Sequence, residues 1–139
     1  MDTPTIEKIV PILREKVKKW PVPIITLIAQ TKNDPFLVLI GTVLSLRTKD
    51  EVTAEACKRL FKKANTPEQM LKLSQQQIEK LIYPVGFYRT KAKNIILICQ
   101  KLVEGYDSIV PDEIDTLLTF PNVGRKTANL VISDGYGKP

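Results

Sequence analysis

At short intervals the chain carries residues whose side chains can accept hydrogen bonds from the exposed backbone N–H groups of a helix start. Asp34-Pro35, Thr48-Lys49-Asp50-Glu51, Thr66-Pro67-Glu68-Gln69 and Ser74-Gln75-Gln76-Gln77 all have this form. Between them the apolar residues recur at helical spacing. Ala92, Ile95, Ile96, Cys99, Leu102 and Val103 make one face of a long helix. Phe36 to Ile40, with Val43 and Leu44, is apolar on nearly all sides and predicts a central buried helix. Leu37 to Val43 alone would also suit a buried strand, but the surrounding caps decide for helix. No segment alternates convincingly with period two. The expectation is an all-α chain with helices near 4–19, 23–30, 34–46, 49–64, 67–72, 75–82, 87–106, 112–119 and 125–134.

A chain of 139 residues suffices for one substantial core and is marginal for two. The N-terminal helix reads apart from the rest. Trp20-Pro21-Val22-Pro23 breaks any continuous helix, so residues 1–21 are expected to pack on something other than the core of 22–139. Ile6, Ile9, Val10, Leu13 and Val17 would then expose apolar surface and favour self-association.

Composition removes several classes of function. The chain has no histidine and only two cysteines, which excludes a multi-ligand zinc or iron–sulfur site within it, and histidine general-base chemistry as well. Cys57 and Cys99 both sit in helical apolar patterns and read as core thiols. No apolar run approaches the roughly 20 residues needed to span a bilayer, and Met1-Asp2-Thr3-Pro4 does not open a signal peptide. A soluble, intracellular protein without a membrane partner is expected. The formal net charge of +6 attracts phosphates without specifying a partner.

The chemistry concentrates in Leu117-Leu118-Thr119-Phe120-Pro121-Asn122-Val123-Gly124-Arg125-Lys126-Thr127-Ala128-Asn129-Leu130-Val131, which reads as helix, tight glycine-containing turn and second helix. Unpaired N–H groups and the positive end of the dipole make such a helix start an anion site. Cations are unwelcome there, typically by ~0.3–1 kcal/mol each, yet Arg125 and Lys126 stand together in the first turn. Local rules broken in this way tend to mark functional sites, and an amine so placed is a candidate nucleophile. A solvated basic pair is the plainer alternative. A phosphate-binding P-loop is excluded, because Gly124 is not followed directly by Lys-Thr and no glycine lies five residues earlier.

Phe120-Pro121-Asn122-Val123-Gly124-Arg125-Lys126-Thr127-Ala128 closely resembles the helix-hairpin-helix of the endonuclease III family, DNA glycosylases that also cleave abasic sites. Two further segments resemble the same family in the same order. Leu44-Ser45-Leu46-Arg47-Thr48-Lys49-Asp50 is similar to its Leu-Ser-x-Gln-Thr-x-Asp stretch. Val85-Gly86-Phe87-Tyr88-Arg89-Thr90-Lys91-Ala92-Lys93-Asn94-Ile95 is similar to its Val-Gly-Leu/Phe-Tyr-x-x-Lys-Ala-x-Asn-Ile stretch. The likeness runs from about Ile25 to Pro139.

The resemblance implies an all-α helical barrel over 22–139, with the hairpin at about 112–134, and a helix at 1–21 belonging to a second domain that is incomplete here. It implies that Lys126 is the nucleophile, attacking C1′ of a damaged nucleoside and forming a Schiff base that permits strand cleavage, with oxidised pyrimidines as the substrate class. Pro121, Val123 and Gly124 would bind a phosphate through main-chain groups, and Asn122, Arg125 and Thr127 share that DNA-facing turn. Arg47 and Phe87 would fill the gap left by a flipped nucleotide. Phe87 would also suit a core aromatic ahead of a long helix. Arg47 departs from the family's glutamine and Asn122 from its glycine, although Asn tolerates left-handed backbone angles. Lys49, Arg89, Lys91 and Lys93 flank these loops and could steer DNA. Family members continue beyond the position of Pro139 into a segment with a catalytic aspartate and a four-cysteine loop holding a [4Fe-4S] cluster, so no cofactor is expected in this chain. The implied partner is double-stranded DNA with a damaged base or abasic site.

Overall fold

The structure is a computed structural model and describes residues 33–138. All regular structure among them is helical: α1 (Pro35–Ser45), α2 (Asp50–Lys63), α3 (Pro67–Leu71), α4 (Gln75–Ile82), α5 (Tyr88–Gly105), α6 (Ile114–Leu117) and α7 (Arg125–Leu130). The last runs directly into a π-helical turn, Val131–Gly135. The expected helices at 4–19 and 23–30, the separate unit at 1–21 and its self-association lie outside the described residues. No helix among the described residues is long and apolar enough to cross a membrane.

Three of the four start signals behave as their chemistry requires. Asp34 accepts from Leu37 N at 3.1 Å, with Pro35 leading α1. Thr66 accepts from Gln69 N at 3.2 Å. Ser74 accepts from Gln77 N at 3.1 Å while Gln77 Oε1 accepts from Ser74 N at 2.7 Å, a complete capping box. Thr48 differs. Lys49 occupies the cap position of α2 with no side-chain hydrogen bond, because the Thr48 hydroxyl is engaged in a tertiary contact described below.

Helix α1 is the axis of the core. Leu39, Ile40, Val43 and Leu44 are fully buried, and α2, α5, α7 and the π-turn pack around them. The strand alternative for this segment therefore fails: a helix apolar on all sides is satisfied by neighbours on all sides. On α5 the buried stripe comprises Lys91, Ala92, Ile95, Ile98, Cys99 and Leu102, while Val103 sits 36% exposed at its edge. Cys57 and Cys99 are fully buried, and burial pushes both thiols up to about 12, so they are inert core groups.

The two ends of α1 meet different segments. At its start, Asn33 N donates to Asp134 O at 2.9 Å, and a Cβ on Gly135 would lie 2.6 Å from Pro35 Cα. The segment following the hairpin is thereby pressed against α1. At its end, α1 delivers the chain into the loop that carries Arg47.

Candidate functional site

The hairpin turn is held from within. Phe120 and Val123 are buried beneath it, and Lys101 of α5 donates from Nζ to Thr119 O at 3.0 Å and to Thr119 Oγ1 at 2.9 Å. The same ammonium lies 4.6 Å from the centre of the Phe120 ring. Asn122 at the tip has φ +62°, the left-handed conformation its short polar side chain tolerates, so the turn survives without the family's glycine.

Helix α7 starts after Gly124 with no side chain capping it. Its first helical bond runs from Ala128 N to Gly124 O at 2.9 Å, so the N–H groups of Arg125, Lys126 and Thr127 lack a helical acceptor. Arg125 and Lys126 are exposed. The Thr127 side chain is buried, as is that of Val123, so these two residues can offer a ligand only their backbone.

Arg47 and Phe87 stand at the tips of two other loops, in left-handed conformations with φ +55° and +56°. Such backbone costs of order 1–3 kcal/mol at a non-glycine residue and persists only where its surroundings impose it. Phe87 is 62% exposed, which removes the core-aromatic alternative. Its ring lies 5.8 Å from the Arg47 guanidinium carbon.

Both flanks of the Arg47 tip are hydrogen-bonded to Lys91, which its sequence context marks instead as a steering charge. Lys91 is not a surface cation that steers DNA: only 2% of it is exposed. Its Nζ donates to Leu44 O at 3.0 Å, to Leu46 O, and to Thr48 Oγ1 at 3.2 Å. Leu44 O is one of the carbonyls that the end of α1 leaves without a helical partner, a position that favours a cation. Thr48 Oγ1 also accepts from Gly86 N at 2.9 Å, which explains its absence from the cap of α2. The two loops approach so closely at Gly86 that a Cβ there would meet Arg47 O at 2.7 Å. One signal could have revealed this: Lys91 interrupts the apolar stripe of α5 one turn before Ile95. Lys49, Arg89 and Lys93 are exposed and remain available to a polyanion.

Burial pushes the Lys91 amine down to about 8 from its ordinary 10.5. Between those values the unfolded chain holds more protons than the folded one, so this group makes the fold more stable as pH rises through that window. The unfolding free-energy difference between the unmodified chain and Lys91→Met, measured in urea at pH 7.5 and pH 10, is expected to shift in favour of the unmodified chain at the higher pH.

The three elements meet on one surface. A depression of about 390 Å³ is lined by Leu46, Arg47, Phe87, Lys91 and Asn122, and it adjoins one of about 470 Å³ lined by Leu46 and by Asn122 through Thr127. Leu46 and Asn122 are common to both. A third depression of about 520 Å³ is lined by Asp112, Glu113 and Asp115 and would repel phosphate. Among the described residues no cluster of carboxylate, cysteine or histidine side chains could hold a metal ion. The chemistry available is therefore an uncapped helix start for an anion, an exposed primary amine beside it, and a guanidinium and an aromatic ring held forward on constrained backbone.

Residues 40–138 match the HhH-GPD superfamily of base excision DNA repair proteins. The chain is 44% identical over 128 residues to endonuclease III of Thermotoga maritima, an alignment covering 92% of this chain and 57% of that protein. Among solved structures it is similar to a trapped covalent intermediate of endonuclease III with DNA in an estranged-adenine complex, with TM-score 0.72 and 40% identity, covering 75% of this chain and 49% of that one. It is also similar to a non-covalent endonuclease III–DNA complex, with TM-score 0.74 and 37% identity over 94% of this chain and 60% of the other. The chain thus spans between about half and three-fifths of the length of these relatives.

Proposed function

Since this chain belongs to the HhH-GPD superfamily of base excision DNA repair proteins and to its endonuclease III family, we propose that it docks on duplex DNA at a damaged base or abasic site and presents Lys126 to the deoxyribose C1′. The observation that carries this reading is the convergence of Arg47, Phe87 and Asn122, all on left-handed backbone, around depressions that adjoin the uncapped start of α7. A phosphate beside the lesion is received by the N–H groups at that helix start, contacts that position the duplex without reading sequence. Arg47 and Phe87 enter the space a flipped nucleotide vacates. The substrate class is oxidised pyrimidines.

At a damaged nucleoside the neutral Lys126 amine displaces the base at C1′, its proton leaving with the base, and the C1′–O4′ bond then opens to place the imine on C1′ and a hydroxyl on C4′. At an existing abasic site the amine adds to the C1′ aldehyde and loses water. Both routes give the same imine, from which loss of a C2′ proton expels the 3′ phosphate and cuts the strand. The imine is what makes the proposed enzyme bifunctional.

The family implies a [4Fe-4S] cluster, but the residues here do not fit one. Cys57 and Cys99 are the chain's only cysteines and both are buried core thiols, so these residues cannot supply the four thiolates a cluster needs.

A second reading is favoured by the uncapped start of α7, which can receive phosphate without any nucleophile: a module that binds DNA without chemistry. Borohydride reduction on abasic-site duplex separates the two, because it converts the imine into a stable covalent adduct. The expected result is an adduct, with affinity for undamaged duplex falling steeply as salt rises, by a log–log slope of about 0.9 per phosphate neutralised. Salt-sensitive binding without an adduct leaves the binding module alone.

A further inference from the structure

Among the described residues Lys91 is the only charged side chain that is buried, and the chemistry above does not use it. Three N–H donors of its ammonium meet three acceptors, Leu44 O, Leu46 O and Thr48 Oγ1, and no carboxylate is among them. These acceptors bracket Arg47 on both sides. The backbone of Lys91 serves the other loop, its N–H donating to Phe87 O at 2.9 Å. The circle closes through Thr48, whose hydroxyl also accepts from Gly86 N at 2.9 Å. One residue therefore binds the flanks of both left-handed tips. Apolar packing alone would not select that arrangement, because a methionine of similar length fills the same space without engaging any acceptor.

We propose that Lys91 is a positioning residue that holds the Arg47 and Phe87 tips in one fixed relative placement, so that guanidinium and ring enter a duplex as a preformed pair. The part of this inference that concerns DNA rests on the function proposed above; the part that concerns the loops does not. Fixing both tips before binding removes an ordering cost that a flexible pair would incur in the complex. The gain falls on lesion-containing duplex, where a gap exists to fill, and leaves the phosphate contacts of the hairpin untouched.

The test uses the whole chain with Lys91→Met, Thr48→Val and Thr48→Ser, and it has two readouts. Amide hydrogen exchange at Thr48 and Gly86 reports the clamp. It is expected to quicken on the order of tenfold in Lys91→Met and Thr48→Val, with α1 and α5 still protected, and to stay near the unmodified rate in Thr48→Ser. Fluorescence anisotropy compares a duplex containing a tetrahydrofuran abasic analogue with an undamaged duplex of the same sequence. Preference for the analogue is expected to fall on the order of tenfold in Lys91→Met, with undamaged-duplex affinity within about twofold, whereas a general loss of structure weakens both alike. Adding Lys91→Met to Phe87→Ala is expected to cost no more than Phe87→Ala alone, since both remove the same inserted pair. Unchanged exchange in Lys91→Met overturns the proposal, as does full lesion preference despite faster exchange. If Lys91→Met does not fold, the contrast between Thr48→Val and Thr48→Ser decides by the same criteria. An unmodified chain with no lesion preference overturns the DNA reading instead, and exchange then decides the clamp by itself.

Discussion

Replacing Lys126 by alanine is expected to abolish borohydride-trapped adduct on abasic-site DNA while leaving most of the affinity for duplex. The two effects separate because they depend on different properties of the side chain. Affinity draws on its positive charge, one of several exposed cations that include Arg47, Lys49, Arg89, Lys93 and Arg125. Losing one cation lowers the salt slope by about 1 and weakens binding modestly. Trapping draws on the lone pair of the amine, and no other exposed lysine among the described residues lines the hairpin depression. Removal of a covalent nucleophile commonly costs on the order of 10⁴-fold or more in rate. Lys126→Arg sharpens the distinction: it preserves the cation but cannot form the imine, so binding should survive and the adduct should vanish. An adduct of undiminished yield in Lys126→Arg would assign the nucleophile to another amine and end the role given to Lys126.

The second large effect is expected at Gly86. A Cβ there would lie 2.7 Å from Arg47 O and 3.1 Å from Thr48 Oγ1. The carbonyl belongs to backbone flanked by the acceptors of Lys91, so the neighbour cannot retreat without loosening those bonds. Gly86→Ala should therefore cost about 1–3 kcal/mol, the range for overpacking a site that cannot yield, together with much of the preference for a lesion. Gly105→Ala supplies the contrast. It is the same chemical change at the end of α5, where a Cβ meets nothing within 4 Å, and it should be neutral or stabilising by up to about 1 kcal/mol. Urea unfolding of the two variants checks the pair; equal stabilities would mean that the close approach of the loops carries no weight.

Candidate residues could be named from the sequence, and their exposure could not. Two cations opposing the dipole at a helix start marked Arg125 and Lys126 as an oddity that a solvated pair would also explain, and the choice of Lys126, like those of Arg47, Phe87 and the hairpin, came from three stretches in family order. Exposure then sorted them. Phe87, open to either a core or a surface role by its sequence, is surface, whereas Thr127 and Val123 turn their side chains inward and keep only backbone for a ligand. Lys91 was misread as a steering charge because charge type in a sequence carries no information about which carbonyls a fold will leave unpaired nearby.

By itself the sequence determined the helical class, the placement of the described helices to within a few residues and the central burial of α1. These follow from interactions along one segment: caps act over three residues, and apolar faces repeat every three to four. Only the tertiary structure decided that Thr48 abandons its cap to join Gly86 and Lys91, that the end of α1 is completed by a lysine 47 positions after Leu44, and that three separate loop tips share one surface. Those outcomes depend on which unsatisfied backbone groups meet which side chains across the fold, and no periodicity within a segment encodes that meeting.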